Sequence, residues 1–389
     1  MCEKINPIDI YNKNINILLG SGASADLFPT LYLKIKDGDG SQETIETLAN
    51  KFNDCREIFT TLFMHYYQTC IYPVQSFDFS GKHSDSEDKN LQNYKNFLHT
   101  LLSLLDRSKE PYRKINIFTT NYDGCLSHVA DTMLFKDVHE FVINDGTAGF
   151  HKKILHPRNF NTFQSQIGIF ERSNYGIPQL NIIHLHGSVY WSKIEDKIEV
   201  NYTKRFENFL DNSIQNKLEA FSDYLANENN KSENIFAIDL NNEEINKFWE
   251  KYNQLPIVNP TKWKFYETVF DEHYYQMLRF LSYELEKPNS ILITFGFSFA
   301  DEHILKLIQR SLSNPQLQTF ICCYSSKSRN NMEEAFKLWR NVNVIGPNND
   351  INKLDFSKFN ESVLSISSKG MNNSENLDDS NVMKTQNNE

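Results

Sequence analysis

The chain has 389 residues, 40% of them hydrophobic, with 29 Phe and 18 Tyr against 14 Gly and 11 Pro. That composition excludes a low-complexity or wholly disordered chain and supplies a sizeable core. The formal net charge of −10, with no long run of Lys or Arg, gives no electrostatic footprint for direct nucleic-acid binding.

The 6 cysteines are scattered and form no Cys-x-x-Cys pair, which argues against a zinc ribbon and fits a reducing compartment. The first residues are polar and mixed in charge, and no apolar run approaches the length of a membrane span. A cytoplasmic protein is the expectation.

In chain order, residues 15–19 are a nearly unbroken apolar run entering Gly20-Ser21-Gly22-Ala23-Ser24. The run predicts a buried parallel strand opening into a tight turn. Glycines there let the backbone approach a pyrophosphate. The same pattern also turns many α/β domains that hold no ligand. Residues 37–40 form a turn cluster, residues 44–70 carry helical spacing, residues 80–90 read as a solvated loop, and residues 91–105 as an amphipathic helix.

A second strand is expected at residues 114–119, delivering Thr120-Asn121-Tyr122-Asp123. The carboxyl end of a parallel strand is where open α/β sheets place their ligand crevice. Equally, Asn121 or Asp123 can simply cap the helix that starts near Cys125. A short strand and turn are expected at residues 141–146. His139, His151 and His156 lie near this region without ligand spacing and receive no role.

Residues 181–185 form a third strand and deliver His184, His186 and Gly187, with both imidazoles on one strand face. Three readings stand: a metal pair, a catalytic base at His186 supported by His184, and structural packing. Residues 191–287 are rich in helix formers and read as a mostly helical insertion. A fourth strand at residues 290–295 ends in Gly296-Phe297-Ser298, and a helix follows with Asp301-Glu302 in its first turn. Residues 319–324 and 342–345 are further strands, with a helix at 332–339 between them. Residues 367–389 have almost nothing to bury and are expected to form a disordered tail.

The expected architecture is α/β: a Rossmann-like parallel sheet flanked by helices, its core at residues 1–190 and 288–366, with the helical insertion between. Four strand ends carry small or polar clusters, at Gly20–Ser24, Thr120–Asp123, His186–Ser188 and Gly296–Ser298. Their order and types resemble the sirtuin family, with its Gly-Ala-Gly-x-Ser turn, Thr-Gln-Asn-Ile-Asp segment, His-Gly dipeptide and later Gly-Thr-Ser-like turn. The resemblance covers roughly residues 10–190 and 288–346.

That resemblance implies that Gly20, Ser21, Gly22 and Ser24 cradle the NAD phosphates, that Asn121 and Asp123 hold the nicotinamide-ribose side, that His186 is the base, and that Gly296 and Ser298 line the adenosine ribose. Protein-deacylating sirtuins usually carry two Cys-x-x-Cys zinc pairs after the catalytic histidine, whereas this sequence has no cysteine between Cys125 and Cys322. It looks more like the bacterial sirtuin-like NAD-hydrolysing effectors of anti-phage defence. The implied activity is hydrolysis of NAD to nicotinamide and ADP-ribose, with NAD as substrate and no metal. The alternatives are an NAD-dependent deacylase and a non-catalytic module that binds NAD or ADP-ribose. Family resemblance also implies a homo-oligomer, or a separately encoded activating partner such as a HerA-like ATPase or a short Argonaute.

Overall fold

In a computed structural model of the chain, the described residues are 5, 7–108, 113–136, 140–167, 174–260, 269–349 and 352–364. The tail expected at 367–389 lies outside them, as does His139. Seven parallel strands form the central sheet: β1 (Asn14–Leu19), β2 (Lys114–Thr119), β3 (Val142–Asn144), β4 (Gln179–His184), β5 (Ser290–Phe295), β6 (Gln318–Cys322) and β7 (Val342–Ile345). Their order is β7-β6-β5-β1-β2-β4-β3. Chain direction across the sheet therefore reverses between β1 and β5, the position at which such sheets open a ligand crevice. This is the Rossmann-like α/β arrangement expected from the sequence.

Both faces of the sheet are covered, so the strands read as continuous apolar runs. Ile17, Leu19, Ile117, Ile182 and Ile293 pack on one side with helices α2 (Asp85–Asp106) and α3 (Cys125–Lys136). Leu18, Phe118, Ile183 and Leu292 pack on the other with α6 (Val269–Glu286) and α7 (Glu302–Ser311). The register of three adjacent strands is marked by polar side chains in this apolar setting. Asn116 Nδ2 donates to Asn16 Oδ1 (2.9 Å), and Asn181 Nδ2 donates to Asn116 Oδ1 (2.8 Å). All three asparagines are fully buried and directly opposite one another. A slip by one residue would break both bonds and bury their amides unpaired.

Three sequence expectations need correction. The helix at 44–70 is broken: Ile45–Lys51 ends before residues 52–55, and α1 (Arg56–Tyr66) restarts beyond them, continuing through a widened turn at Tyr67–Ile71. Asn53-Asp54 supplies turn chemistry at the break. The loop at 80–90 becomes helix from Asp85, because Ser84 and Glu87 form a capping box. The stretch at 191–287 opens with a hairpin, Trp191–Ile194 against Lys197–Val200, which joins Lys153–Leu155 and Thr147–Ala148 in a four-stranded antiparallel sheet.

The rest of that stretch is helical. The helices α4 (Asn212–Leu225) and α5 (Asn242–Tyr252) pack on α1, where Trp249 Nε1 donates to Thr60 Oγ1 (3.0 Å) and His65 Nδ1 meets Ser222 Oγ (2.8 Å). Helix α6 instead returns to the sheet and buries Met277, Leu281 and Leu285 completely. No helix among the described residues is long and apolar enough to cross a membrane.

Candidate functional site

The carboxyl ends of β1, β2, β4 and β5 surround a cavity of about 450 Å³, within the size range of small-molecule sites. Ser21, Ser24, Asn121, Asp123, His186, Gly296 and Ser298 line it, so seven sequence-predicted residues share one site. Gly20 and Gly22 lie behind it, against the β5 loop. A Cβ on Gly20 would sit 2.4 Å from the Gly296 carbonyl oxygen, and one on Gly296, whose φ is +64°, would sit 2.5 Å from the Ala23 nitrogen. The amides of Gly20 and Gly22 donate to the carbonyls of Phe295 and Gly296, and those of Ala23 and Ser24 to Gly20 and Ser21. These glycines thus let two strand-end loops touch backbone to backbone, which holds Ser21 and Ser24 at the cavity wall.

Ser24 is the hub of a buried network. Its hydroxyl donates to Asp123 Oδ2 (2.7 Å), receives the Asn121 side-chain amide (3.2 Å) and lies 2.7 Å from the Tyr94 hydroxyl on α2. Asp123 Oδ1 accepts from the Cys125 amide (3.0 Å) at the start of α3. The capping reading of Asp123 therefore holds for one oxygen, while the other fixes Ser24 at the cavity wall. Asn121 is left with its side-chain oxygen buried and unpartnered among the described residues. Asn121 lines the cavity, and an orphaned acceptor of this kind is one that a ligand hydroxyl, a ligand amide or water can satisfy.

His184 and His186 separate. His184 is buried, and its Nδ1 lies 3.0 Å from the Asn121 carbonyl. Burial lowers its pKa, opposed by that hydrogen bond, so the ring is neutral and donates from Nδ1. That bond holds the Asn121 backbone, and no hydrogen bond joins His184 to His186 among the described residues. After His184 the chain turns through Gly187, at φ +81°, and His186 reaches the cavity.

There His186 Nε2 lies 3.0 Å from Asp301 Oδ2, while Asp301 Oδ1 accepts from the amides of His303 and Ile304 and caps α7. Burial pushes the Asp301 carboxyl up, but its hydrogen bond to His186, that ring's charge and the two amides outweigh it, and the net shift is downward. The sequence reading placed Asp301 in a helix first turn but missed its pairing with His186. No local spacing reveals it, because the residues are 115 positions apart.

Residues 256–260 close one side of the site. The Val258 amide donates to the His186 carbonyl (2.9 Å), and the Tyr122 hydroxyl donates to the Val258 carbonyl (2.7 Å). The remaining walls are divided in character. Phe28, Leu31, Val74 and Tyr66 give the cavity apolar surface, while Glu46, Asp123, Asp301 and Glu302 bring carboxylates to it. Cys70 also lines it, but burial pushes its thiol up to about 11, which leaves no thiolate to act as a nucleophile near neutral pH.

Fold and site together define an α/β protein of Rossmann-like architecture with a hydrogen-bonding, acid-lined cavity at its strand ends. No protein-family model and no curated protein matches the sequence.

Proposed function

We propose that the chain is an NAD⁺ glycohydrolase, which cleaves NAD to nicotinamide and ADP-ribose. The observation that carries this reading is the convergence, in one acid-lined cavity, of the unpartnered Asn121 oxygen with the His186–Asp301 pair. It is supported by the order of the four strand-end clusters, which resembles that of sirtuin-like NAD-hydrolysing effectors.

The chemistry asks for little covalent participation. When the glycosidic bond breaks, its electron pair leaves with nicotinamide, which becomes neutral, and positive charge develops on the ribose. Asp123, Asp301 and Glu46 at the walls favour that cation over the charge distribution of the ground state. A water oxygen then bonds to the anomeric carbon and gives its proton to His186, whose protonated ring Asp301 stabilises. Asn121 holds a ribose hydroxyl or that water through its free acceptor. A base so placed contributes about 10²–10⁴-fold in rate. Ser21 and Ser298 supply hydroxyl donors for the rest of the dinucleotide.

In this reading the protein depletes NAD as an anti-phage effector. It is restrained until it self-assembles or meets a separately encoded partner, such as a HerA-like ATPase or a short Argonaute. The test is nicotinamide release from NAD by the purified protein, alone and with proteins co-purified from its native source. Release that Asn121→Ala and His186→Ala abolish is the expected result. Product formed only with an acyl-peptide would identify a deacylase, and saturable NAD binding without turnover a non-catalytic module; either overturns the proposal.

A further inference from the structure

At the opposite, amino-terminal edge of the sheet lies a second cavity of about 260 Å³, set between the starts of β1, β2 and β5. Three lysines line it: Lys13 before β1, Lys114 opening β2, and Lys287 before β5. In a chain with a net charge of −10 this is a local reversal of sign. Leu104, Leu105 and Ile15 give the cavity an apolar floor.

The lysines are not equally committed. Lys287 pairs with Glu284 at 2.5 Å, and that carboxylate, whose side chain is 1% exposed, also accepts from Asn14 Nδ2 at 3.2 Å. Lys13 and Lys114 form no ion pair among the described residues. Lys114 is half-buried, and its ammonium is pushed below its ordinary pKa by burial, with Glu284 opposing and Lys287 adding to the effect. An amine in that position gains more from an arriving anion than a solvated one does, because its own desolvation has already occurred.

We propose that this amino-edge cavity binds a small phosphomonoester, up to the size of a nucleoside monophosphate, through Lys13 and Lys114 with Lys287 beside them. A phosphate group supplies several acceptor oxygens for two ammonium groups that have no ion pair among the described residues. The apolar floor takes a sugar or base face. The cavity volume suits a small ligand better than a dinucleotide. The site lies on the opposite edge of the sheet from the NAD reading above and does not depend on it.

Calorimetric titration of the full chain with AMP, inorganic phosphate and adenosine tests this. Saturable binding of AMP, weaker binding of phosphate and none of adenosine at this site are expected. Lys114→Gln and Lys13→Gln should each weaken the AMP phase by about tenfold or more, and added salt should weaken it further. His186→Ala, at the carboxyl-edge cavity, should leave that phase intact. Lys13 lies in a loop, so its variant reports on binding even where Lys114→Gln perturbs folding, and thermal melting of both controls for this. The proposal is overturned if neither AMP nor phosphate binds, if both lysine variants bind AMP as the wild type does, or if a short DNA duplex binds where AMP does not.

Discussion

His186 and Asp301 are joined at 3.0 Å between Nε2 and Oδ2, across two strand-end loops that the sheet brings together. Asp301 has a second task as the cap of α7. Asn is also a good cap, so Asp301→Asn keeps the helix start while it removes both the charge and the acceptor oxygen beside His186. Nicotinamide release should fall by about 10²-fold, with little change in secondary structure by circular dichroism.

The same pair sets an acid limit on stability. Asp301 is held below the usual carboxylate range, so its contribution is fully present above the unfolded value of about 3.9 and is lost as pH falls through the lower folded value. The melting-temperature gap between wild type and Asp301→Asn should therefore be steady at neutral pH and narrow as the pH drops below about 4. A gap that widened in acid would reverse the assigned direction.

Ser24 ties Asn121, Asp123 and Tyr94 together. Ser24→Ala leaves a buried carboxylate oxygen and a phenol without that partner, at a cost of about 1–3 kcal/mol. Denaturant titration should record that loss, and nicotinamide release should fall with it because Asn121 is no longer held. A variant that lost stability but kept full turnover would place the network in packing alone.

Gly296 is required by its neighbours as well as by its backbone. Gly296→Ala meets the Ala23 nitrogen at 2.5 Å in a left-handed conformation, and overpacking with strain of this kind costs about 1–3 kcal/mol. Urea unfolding should show the loss. Gly40 has a similar φ, of +83°, but open space around it, so Gly40→Ala should cost less.

Asn116 bridges Asn16 and Asn181 across three buried strands. Asn116→Ala removes both bonds and leaves a buried donor and a buried acceptor unsatisfied, each worth about 1–3 kcal/mol. A fall in the urea midpoint of that order is expected, with function lost only as the fold is lost.

The parallel sheet was legible where strands are buried on both faces. Expected residues 114–119 and 290–295 coincide with the observed β2 and β5, because a strand covered on both faces reads as a largely apolar run; residues 342–345 coincide with β7, although that edge strand exposes Asn343. Local signals were under-read at Ser84 and Glu87, whose polarity suggested loop although their spacing forms a cap. They were under-read again at residues 191–200, where alternation around Glu195-Asp196 signals a hairpin. The site was half legible. Strand ends announce Asn121, Asp123 and His186, since each follows an apolar run. The contacts that hold them are set by tertiary packing alone: Asp301 meets His186 from 115 positions away, and Tyr94, from the middle of α2, meets the Ser24 that binds Asn121 and Asp123.

In the proposed reaction this cavity adds water to the ribosyl carbon of NAD. Turnover of NAD in heavy-oxygen water, followed by mass spectrometry for wild type and His186→Ala, tests it most directly. Wild type should give nicotinamide together with ADP-ribose that carries one solvent oxygen, and His186→Ala should give neither. NAD left intact by the wild-type protein and its co-purified partners, or consumed equally by the variant, would contradict it.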